Sequence, residues 1–380
     1  MRILHVFSNY KWTGPAEPAV NLAAALMDRG HEVLFAAADV PPSEGSTRRV
    51  NQHAAERGLE VVGGLRLSKH LDVRGNLRDA AALCDIIRDR RIQVVHAHMT
   101  NDHLVASLAA RKLDRPPKIA RTFYDGRPPR GLRAAWLLSH LDAALFCSRR
   151  VLEAASRRLD RAACHFVEGA VDTARFDRAR PLPAVRAKLG LGPGDYVVGI
   201  VARIQKHRRF DLLLDATRRS ARELPGFRLV LIGRGSPAEE ETLWRGIGRG
   251  LRGVVKLAGY VMGDDYVATL AALDAKIYLV PGSDGSCRAV REAMAMGLPV
   301  IASDLGMLPE IVEDGITGRV VKPTAEALAE AIVALGRPSV RAAMSAAALQ
   351  RARRDFDLRR QAEAVERIYE GILRAQEQHR

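Results

Sequence analysis

Between Asp284 and Glu292 the chain reads DGSCRAVRE, two carboxylates eight residues apart with Gly285, Ser286 and Cys287 between them. AVREAMAM has a helical pattern and LPVIAS reads as a strand, so SDGSC is a loop feeding a helix N-terminus. Free amides at Ser286 and Cys287 favour an anion or a hydroxyl there. Glu292 falls on the helix face that points back toward that loop. Two carboxylates beside one amide nest suit a ligand carrying both hydroxyls and phosphates. A plainer reading fits the same residues: Asp284 caps the helix, and Glu292 pairs with Arg288 one turn earlier.

A second cluster lies in VGIVARIQKHRRFDLLLDA. A strand ending at Ala202 delivers Arg203, Lys206, Arg208 and Arg209 into the loop before a helix. Cations at a strand's carboxyl end neutralise the charge that builds on a leaving diphosphate, although a solvated basic loop has the same composition. Thr13-Gly14-Pro15 sits between the first strand and first helix, where Gly14 lets a backbone approach closely and Pro15 removes an amide. His96 and His98 alternate along VVHAH, so both face one side of a strand, as ligands, as hydrogen-bonding groups or as packed polar residues. GRGSPA, from Gly233, is only part of a dinucleotide-binding fingerprint, and Gly263-Asp264-Asp265 reads as a turn rather than a metal site.

Short β-branched runs alternating with amphipathic segments must position these groups, the pattern of βα units and parallel sheets. The first half offers RILHVF, HEVLFAA, LEVVG, IQVVHAH, KIARTF, AALFC and CHFVEG; the second offers YVVGIVA, RLVLIGRG, VVKLAG, AKIYLVPG, LPVIAS and GRVV. Gly30 is placed to stop the first helix. We expect an N-terminal domain over 1–172, a Pro-, Gly- and charge-rich linker over 173–194, and a C-terminal domain over 195–355. A helix over 356–380 follows, with apolar points at Ala362, Val365, Ile368, Tyr369 and Ile372.

A chain of 380 residues with 47% apolar and 27% charged side chains has the make-up of a soluble two-domain protein. Four scattered cysteines argue for a reducing cytoplasm and against a disulfide framework or zinc site. The opening strand leaves no room for a signal peptide, and no apolar run reaches the roughly 18 residues of a spanning helix. Of the net charge of +15, residues 1–190 carry +11, from 31 basic and 20 acidic side chains. That surface invites a polyanion, but with 5% aromatics and no nucleic-acid module, nucleic acid is not the expected partner.

In order and spacing these segments resemble the retaining GT-B glycosyltransferases of family four, over nearly the whole chain. TGPAEPAVNLAAALMDRGHEV, VVHAHMTNDHL, GAVDTARF, VARIQKHRRFDLLLDA, LVLIGRGS and VVKLAGYV each resemble a family segment, as does the long block from Gly282 to Val321. The resemblance implies an α/β fold of two doubly wound Rossmann-like domains facing across a cleft, with the C-terminal helix crossing back to the first domain. It implies a metal-independent transfer from a nucleotide sugar, expected to be a UDP- or GDP-sugar, without a further cofactor. Arg203 and Arg208 would stabilise the leaving diphosphate and Asp284 would contact the donor sugar. Glu292 would hold the ribose, while Gly14, Lys206, Val261, Gly285, Ser286 and Cys287 would complete the donor site. Pro15 and Tyr124 would lie on the acceptor side; Tyr124 stands where the family has a histidine, so His98 is the candidate to replace it. The implied acceptor is a lipid-linked or lipopolysaccharide-like cell-surface glycan. The expected location is the cytoplasm, with peripheral contact at the inner face of the membrane through the basic half. The segment from Lys118 to Leu141 is the expected lipid-facing helix. A small soluble acceptor, or a degenerate protein that binds nucleotide or lipid without turnover, are the alternatives.

Overall fold

A computed structural model describes residues 1–39, 49–124, 131–157, 163–281 and 287–378, the last three without their side chains. Each β-branched run forms a strand. In order these are β1 (Arg2–Phe7), β2 (Glu32–Ala37), β3 (Glu60–Val61), β4 (Val94–Ala97), β5 (Lys118–Phe123), β6 (Ala143–Phe146) and β7 (Cys164–Phe166). The second half supplies β8 (Tyr196–Val201), β9 (Phe227–Ile232), β10 (Val255–Gly259), β11 (Ala275–Tyr278), β12 (Val300–Ser303) and β13 (Gly318–Val321). They build two parallel sheets, ordered β3-β2-β1-β4-β5-β6-β7 and β10-β9-β8-β11-β12-β13. Helices cover both faces of such sheets, so the central strands read as continuous apolar runs rather than alternating ones. In both, strand order reverses beside the first strand, between β1 and β4 and between β8 and β11. That reversal opens a crevice at the carboxyl ends of an open α/β sheet.

By contacts the chain forms two units. The first spans Met1–Ala170 and Leu358–Arg380, the second Val171–Gly282 and Cys287–Asp357. In unit 1 the helix Ala16–Asp28 buries Ala16, Ala19, Val20, Ala23 and Leu26 against β1 and β2. It ends where Gly30 takes φ +88°, the left-handed conformation of a helix stop. The C-terminal helix, Leu358–Gln378, belongs to the same core: Ala362, Val365 and Tyr369 are fully buried beside Ile3, Val20 and Leu26. Arg29 pairs with Glu363 at 3.2 Å and also with Glu366, and Gln361 donates to the Glu168 carbonyl at 2.7 Å.

Two expectations are corrected. Lys118 to Leu141 is not one surface helix: it opens with β5, and its helix is the seven-residue Leu132–Leu138. Arg121 is buried and donates to Thr100 Oγ1 at 3.0 Å, because β5 is an inner strand of the sheet, and Leu137 on the short helix is buried too. Gly263-Asp264-Asp265 is the first turn of the helix Gly263–Ala271, where acidic residues complement the helix dipole. Residues 173–194 carry a helical turn, Val185–Lys188, and Arg186 ties them to unit 2 by donating to the Ala272 carbonyl at 3.0 Å. Among the described residues no helix is long and apolar enough to cross a membrane.

Candidate active site

In unit 2 the loops after β8, β9 and β10 are laced together by their backbones. Ala202 N donates to Ile232 O at 3.0 Å, Ile204 N to Arg234 O at 3.1 Å and Gly233 N to Gly259 O at 2.8 Å. Gly233 has φ +148°, and a Cβ there would lie 1.9 Å from the Ala202 carbonyl oxygen, so only glycine closes this seam. The loops enclose a cavity of about 470 Å³, lined by Arg203 and Gln205, by Gly233 to Ser236, and by Tyr260, Val261 and Tyr266. Ser236 caps the helix Pro237–Leu251 reciprocally with Glu239, which fixes the loop's exit. Arg234 lies over the Tyr260 ring, 4.7 Å from its centroid, so a cationic plane and an aromatic one share this wall.

The predicted cations separate. Arg203 is exposed and lines the cavity, and Lys206 is exposed nearby in the 3-10 turn Lys206–Arg208. Arg208 turns toward the end of β11, where Nη1 donates to the Val280 carbonyl at 2.9 Å; its Nε is buried without a partner among the described residues. Asp284, Gly285 and Ser286 lie outside the described residues, as do Arg127 and Arg130.

Glu292 satisfies both sequence readings at once. On the helix Arg288–Ala295, its Oε1 lies 3.0 Å from Arg288 Nε, the pairing one turn apart, while Oε2 accepts from the Tyr266 hydroxyl at 2.6 Å. Tyr266 lines the cavity, so Glu292, itself buried, reaches that cavity through a tyrosine. Beneath lies Lys276, fully buried in β11, whose Nζ donates to the Ala289 carbonyl at 2.5 Å. Burial lowers its pKa to about 8 against the upward pull of Glu292. Cys287 precedes the helix, buried, at φ +48°. Neither Tyr266 nor Lys276 stood out in the sequence. A lysine inside a strand buried on both faces was the one local anomaly available.

In unit 1, Gly14 and Pro15 sit half-buried at the start of the first helix, past the carboxyl end of β1. His98 is the candidate to replace the histidine that the family has at Tyr124. It is buried with both ring nitrogens engaged, Nε2 at 2.9 Å from His5 Nδ1 and Nδ1 at 2.9 Å from the Tyr124 hydroxyl. His96 faces the same side, bonded to Thr122 Oγ1 at 2.8 Å and to the Tyr369 hydroxyl. His5, which the sequence reading did not single out, completes a stack of three buried rings.

These histidines predict acid lability. Burial lowers the pKa values of His5 and His103 to about 3, and those of His96 and His98 well below the ordinary range. The unfolded chain takes up these protons near 6.5, so it binds more protons below that pH and stability falls as pH drops. His5 and His103 each cost about 2 kcal/mol by pH 5, and His96 and His98 act in the same direction. Asp102, raised to about 7 by burial, has the opposite sign: its folded carboxyl holds a proton the unfolded one loses, so acidification offsets roughly one histidine. Calorimetry should show unit 1 melting well below its pH 7.5 temperature at pH 5. An unchanged transition would refute this account of the buried rings.

Two parallel Rossmann-like sheets, the second with a cavity at the carboxyl ends of β8, β9 and β10, belong to the GT-B class of glycosyltransferase folds. Residues 14–175 match the model "Glycosyltransferase Family 4" and residues 183–351 the model "Glycosyl transferases group 1". The chain belongs to this glycosyltransferase family. It is 35% identical over 224 residues to a D-inositol 3-phosphate glycosyltransferase of Saccharomonospora viridis, covering 55% of this chain and 50% of that one. The chain thus spans about half the length of that relative. It is 27% identical over 308 residues to the lipopolysaccharide core biosynthesis mannosyltransferase LpsB of Rhizobium meliloti, covering 78% and 84% of the two chains. Among solved structures, a glycosyltransferase from Rickettsia africae superposes with a TM-score of 0.81 at 18% identity over 98% of each chain. Anabaena Alr3699/HepE in complex with UDP and glucose gives a TM-score of 0.78 at 18% identity, over 98% of this chain and 100% of that one.

Proposed function

We propose that this protein transfers a sugar from a nucleotide-sugar donor to a lipid-linked or cell-surface glycan acceptor, with retention at the anomeric carbon and without a metal. The observation that carries this reading is the cavity of unit 2, where Arg203 and Arg234 supply cations, Tyr260 an aromatic face and Val261 a backbone edge. There Tyr266 leads to the Glu292 carboxylate. A nucleoside diphosphate has a partner for each: base for the aromatic wall, ribose hydroxyls for the carboxylate, phosphates for the guanidinium groups. Anabaena HepE is described in complex with UDP-glucose, and LpsB and the phosphatidyl-myo-inositol mannosyltransferase of Mycobacterium leprae are named for lipopolysaccharide core and a phospholipid. In this reading Arg203 and Arg208 hold the leaving diphosphate, and its oxygen takes the acceptor's proton on the same face of the sugar. Asp284, Gly285, Ser286, Cys287, Lys206 and Gly14 complete the donor site.

Thermal-shift screening against UDP-, GDP-, ADP- and CDP-sugars tests the donor site, since a ligand bound only by the native state raises the melting temperature. One nucleotide sugar should stabilise the wild type and fail to stabilise Glu292→Gln, a variant that keeps the Tyr266 hydrogen bond but removes the charge. No shift with any donor would sink the reading.

We also infer a peripheral contact with anionic membrane, at a surface other than Lys118 to Leu141. Leu71, Val73 and Leu77 are 55%, 63% and 52% exposed, amid exposed Lys69, Arg74 and Arg78. The one acid among them, Asp72, caps the helix Val73–Asp89 by accepting from Gly75 N at 3.0 Å. Apolar anchors ringed by cations suit an anionic bilayer surface. Flotation with phosphatidylglycerol vesicles should carry the protein, and replacing Leu71 and Leu77 by Ser should weaken it about tenfold or more. Equal flotation of the variant would move the contact elsewhere; no flotation of the wild type would favour a small soluble acceptor.

A further inference from the structure

Lys276 is a charged side chain with no exposed surface, on an inner strand of the sheet of unit 2. It lies on β11 between β8 and β12, with Gly199 and Val300 as its register partners and buried Ala275 and Ile277 beside it. A buried ammonium is costly unless a partner compensates it. Its Nζ reaches from the sheet to the helix Arg288–Ala295 and donates to the Ala289 carbonyl at 2.5 Å. That carbonyl does not account for the lysine. A first-turn carbonyl accepts from the amide four residues on, so Ala289 needs no second donor.

The helix even resists the charge. Its N-terminus is the positive end of the dipole, and Arg288 adds a full positive charge there. The attraction comes from Glu292, three residues past Ala289 and so its neighbour on the helix surface. Burial lowers the lysine's pKa to about 8, Glu292 pulls it up and Arg288 pushes it down. Glu292 is itself buried, at 3% exposure, and a carboxylate out of water needs compensating charge. Arg288 supplies one cation from the same helix, 3.0 Å from Oε1, but that side chain is 25% exposed and partly screened by water. The Lys276 ammonium acts wholly through protein and is screened much less. Oε2 of the same carboxylate accepts from Tyr266, which lines the cavity.

We propose that Lys276 is a positioning residue of the donor site: its ammonium is the internal counter-ion of Glu292 and ties the helix that carries it to β11, so the carboxylate meets the donor charged and fixed. The donor half of this statement rests on the glycosyl-transfer reading; the pairing of Lys276 with Glu292 does not. Lys276 does not line the cavity, so it acts through Glu292 rather than on the donor. It is a group kept for function at a cost in stability.

The test uses the full chain and the nucleotide sugar that raises its melting temperature. Lys276→Met keeps an unbranched stem and removes the charge. Its melting temperature should match or exceed that of wild type, because an apolar side chain of similar volume in place of a buried ion is commonly neutral or stabilising. Its kcat/KM for the donor should nevertheless fall roughly tenfold. In the Glu292→Gln background Lys276→Met should cost under about twofold more, because the lysine acts only through the carboxylate. Unchanged kcat/KM, or equal losses in both backgrounds, would overturn the proposal. A parallel fall of melting temperature and activity would overturn it too, leaving the lysine a structural staple alone. A second cycle needs no substrate. By calorimetry Glu292→Gln should lower the melting temperature of unit 2 by about 3 °C or more where Lys276 is present, since it strands the ammonium, and by less than about half as much beside Lys276→Met. An equal or larger lowering beside Lys276→Met would overturn the pairing itself. A wild type that turns over no nucleotide sugar would refute the transfer reading and the donor half with it, while the calorimetric cycle still decides the pairing.

Discussion

Arg203→Ala is expected to lower sugar transfer by roughly 10²–10³-fold, the usual cost of removing one fixed group from a developing negative charge. Its melting temperature should stay within about 2 °C of wild type, because exposed side chains outside special features shift stability by only a few tenths of a kcal/mol. Arg203 is exposed just past β8 and lines the cavity, so its loss leaves no cavity in the core and strands no buried partner. Arg203→Lys should recover part of the activity. A lysine supplies the charge but not the planar fork that meets two phosphate oxygens together. The informative measurement is turnover beside donor affinity. A fall in turnover with affinity nearly kept places the guanidinium on the leaving group, whereas a rise in KM alone would make it a ground-state contact. Unchanged turnover would remove Arg203 from the chemistry.

Deleting residues 358–380 should abolish cooperative folding of unit 1. The C-terminal helix is one wall of that unit's core, and Tyr369, Val365 and Ala362 have no exposed surface. Removing a buried aromatic side chain alone costs about 3–5 kcal/mol, and the deletion adds a valine, an alanine and an open face on β1 and its neighbours. It also leaves His96 Nδ1 without the Tyr369 hydroxyl, a further buried polar group unpaired. The total rivals the 5–15 kcal/mol that stabilises a whole domain. Unit 2 has its own core, from Val198 and Ile277 to Leu335, and should keep a melting transition. The truncated chain should therefore show one transition by calorimetry, with unit 1 readily proteolysed. A two-unit melt like wild type would mean the helix is an accessory rather than a wall.

Much of the fold was legible in the chain. All thirteen described strands fall on runs that read as strands, and the inner ones are mostly apolar because helices cover both faces of the sheet. The apolar points Ala362, Val365 and Tyr369 marked a helix face before its partner was known. Glu292 and Arg288 were legible as a pair because helix geometry brings residues four apart together. The helix expected across Lys118 to Leu141 failed because its arginines suggested a surface, while the sheet placed Arg121 in an inner strand. GRGSPA was set aside as an incomplete fingerprint. Its glycines prove necessary for a reason no fingerprint states, the approach of Gly233 to the Ala202 carbonyl.

What the sequence determined by itself is what neighbours within a turn or a strand decide: the elements, their buried faces, the cations past β8 and the carboxylate on its helix. What only the tertiary structure decided is which of these groups meet. Tyr266 and Glu292 are 26 residues apart, Arg208 and Val280 72, His5 and His98 93. No periodicity links such pairs, because their contact depends on strand order in the sheet, set by how whole elements bury their apolar faces.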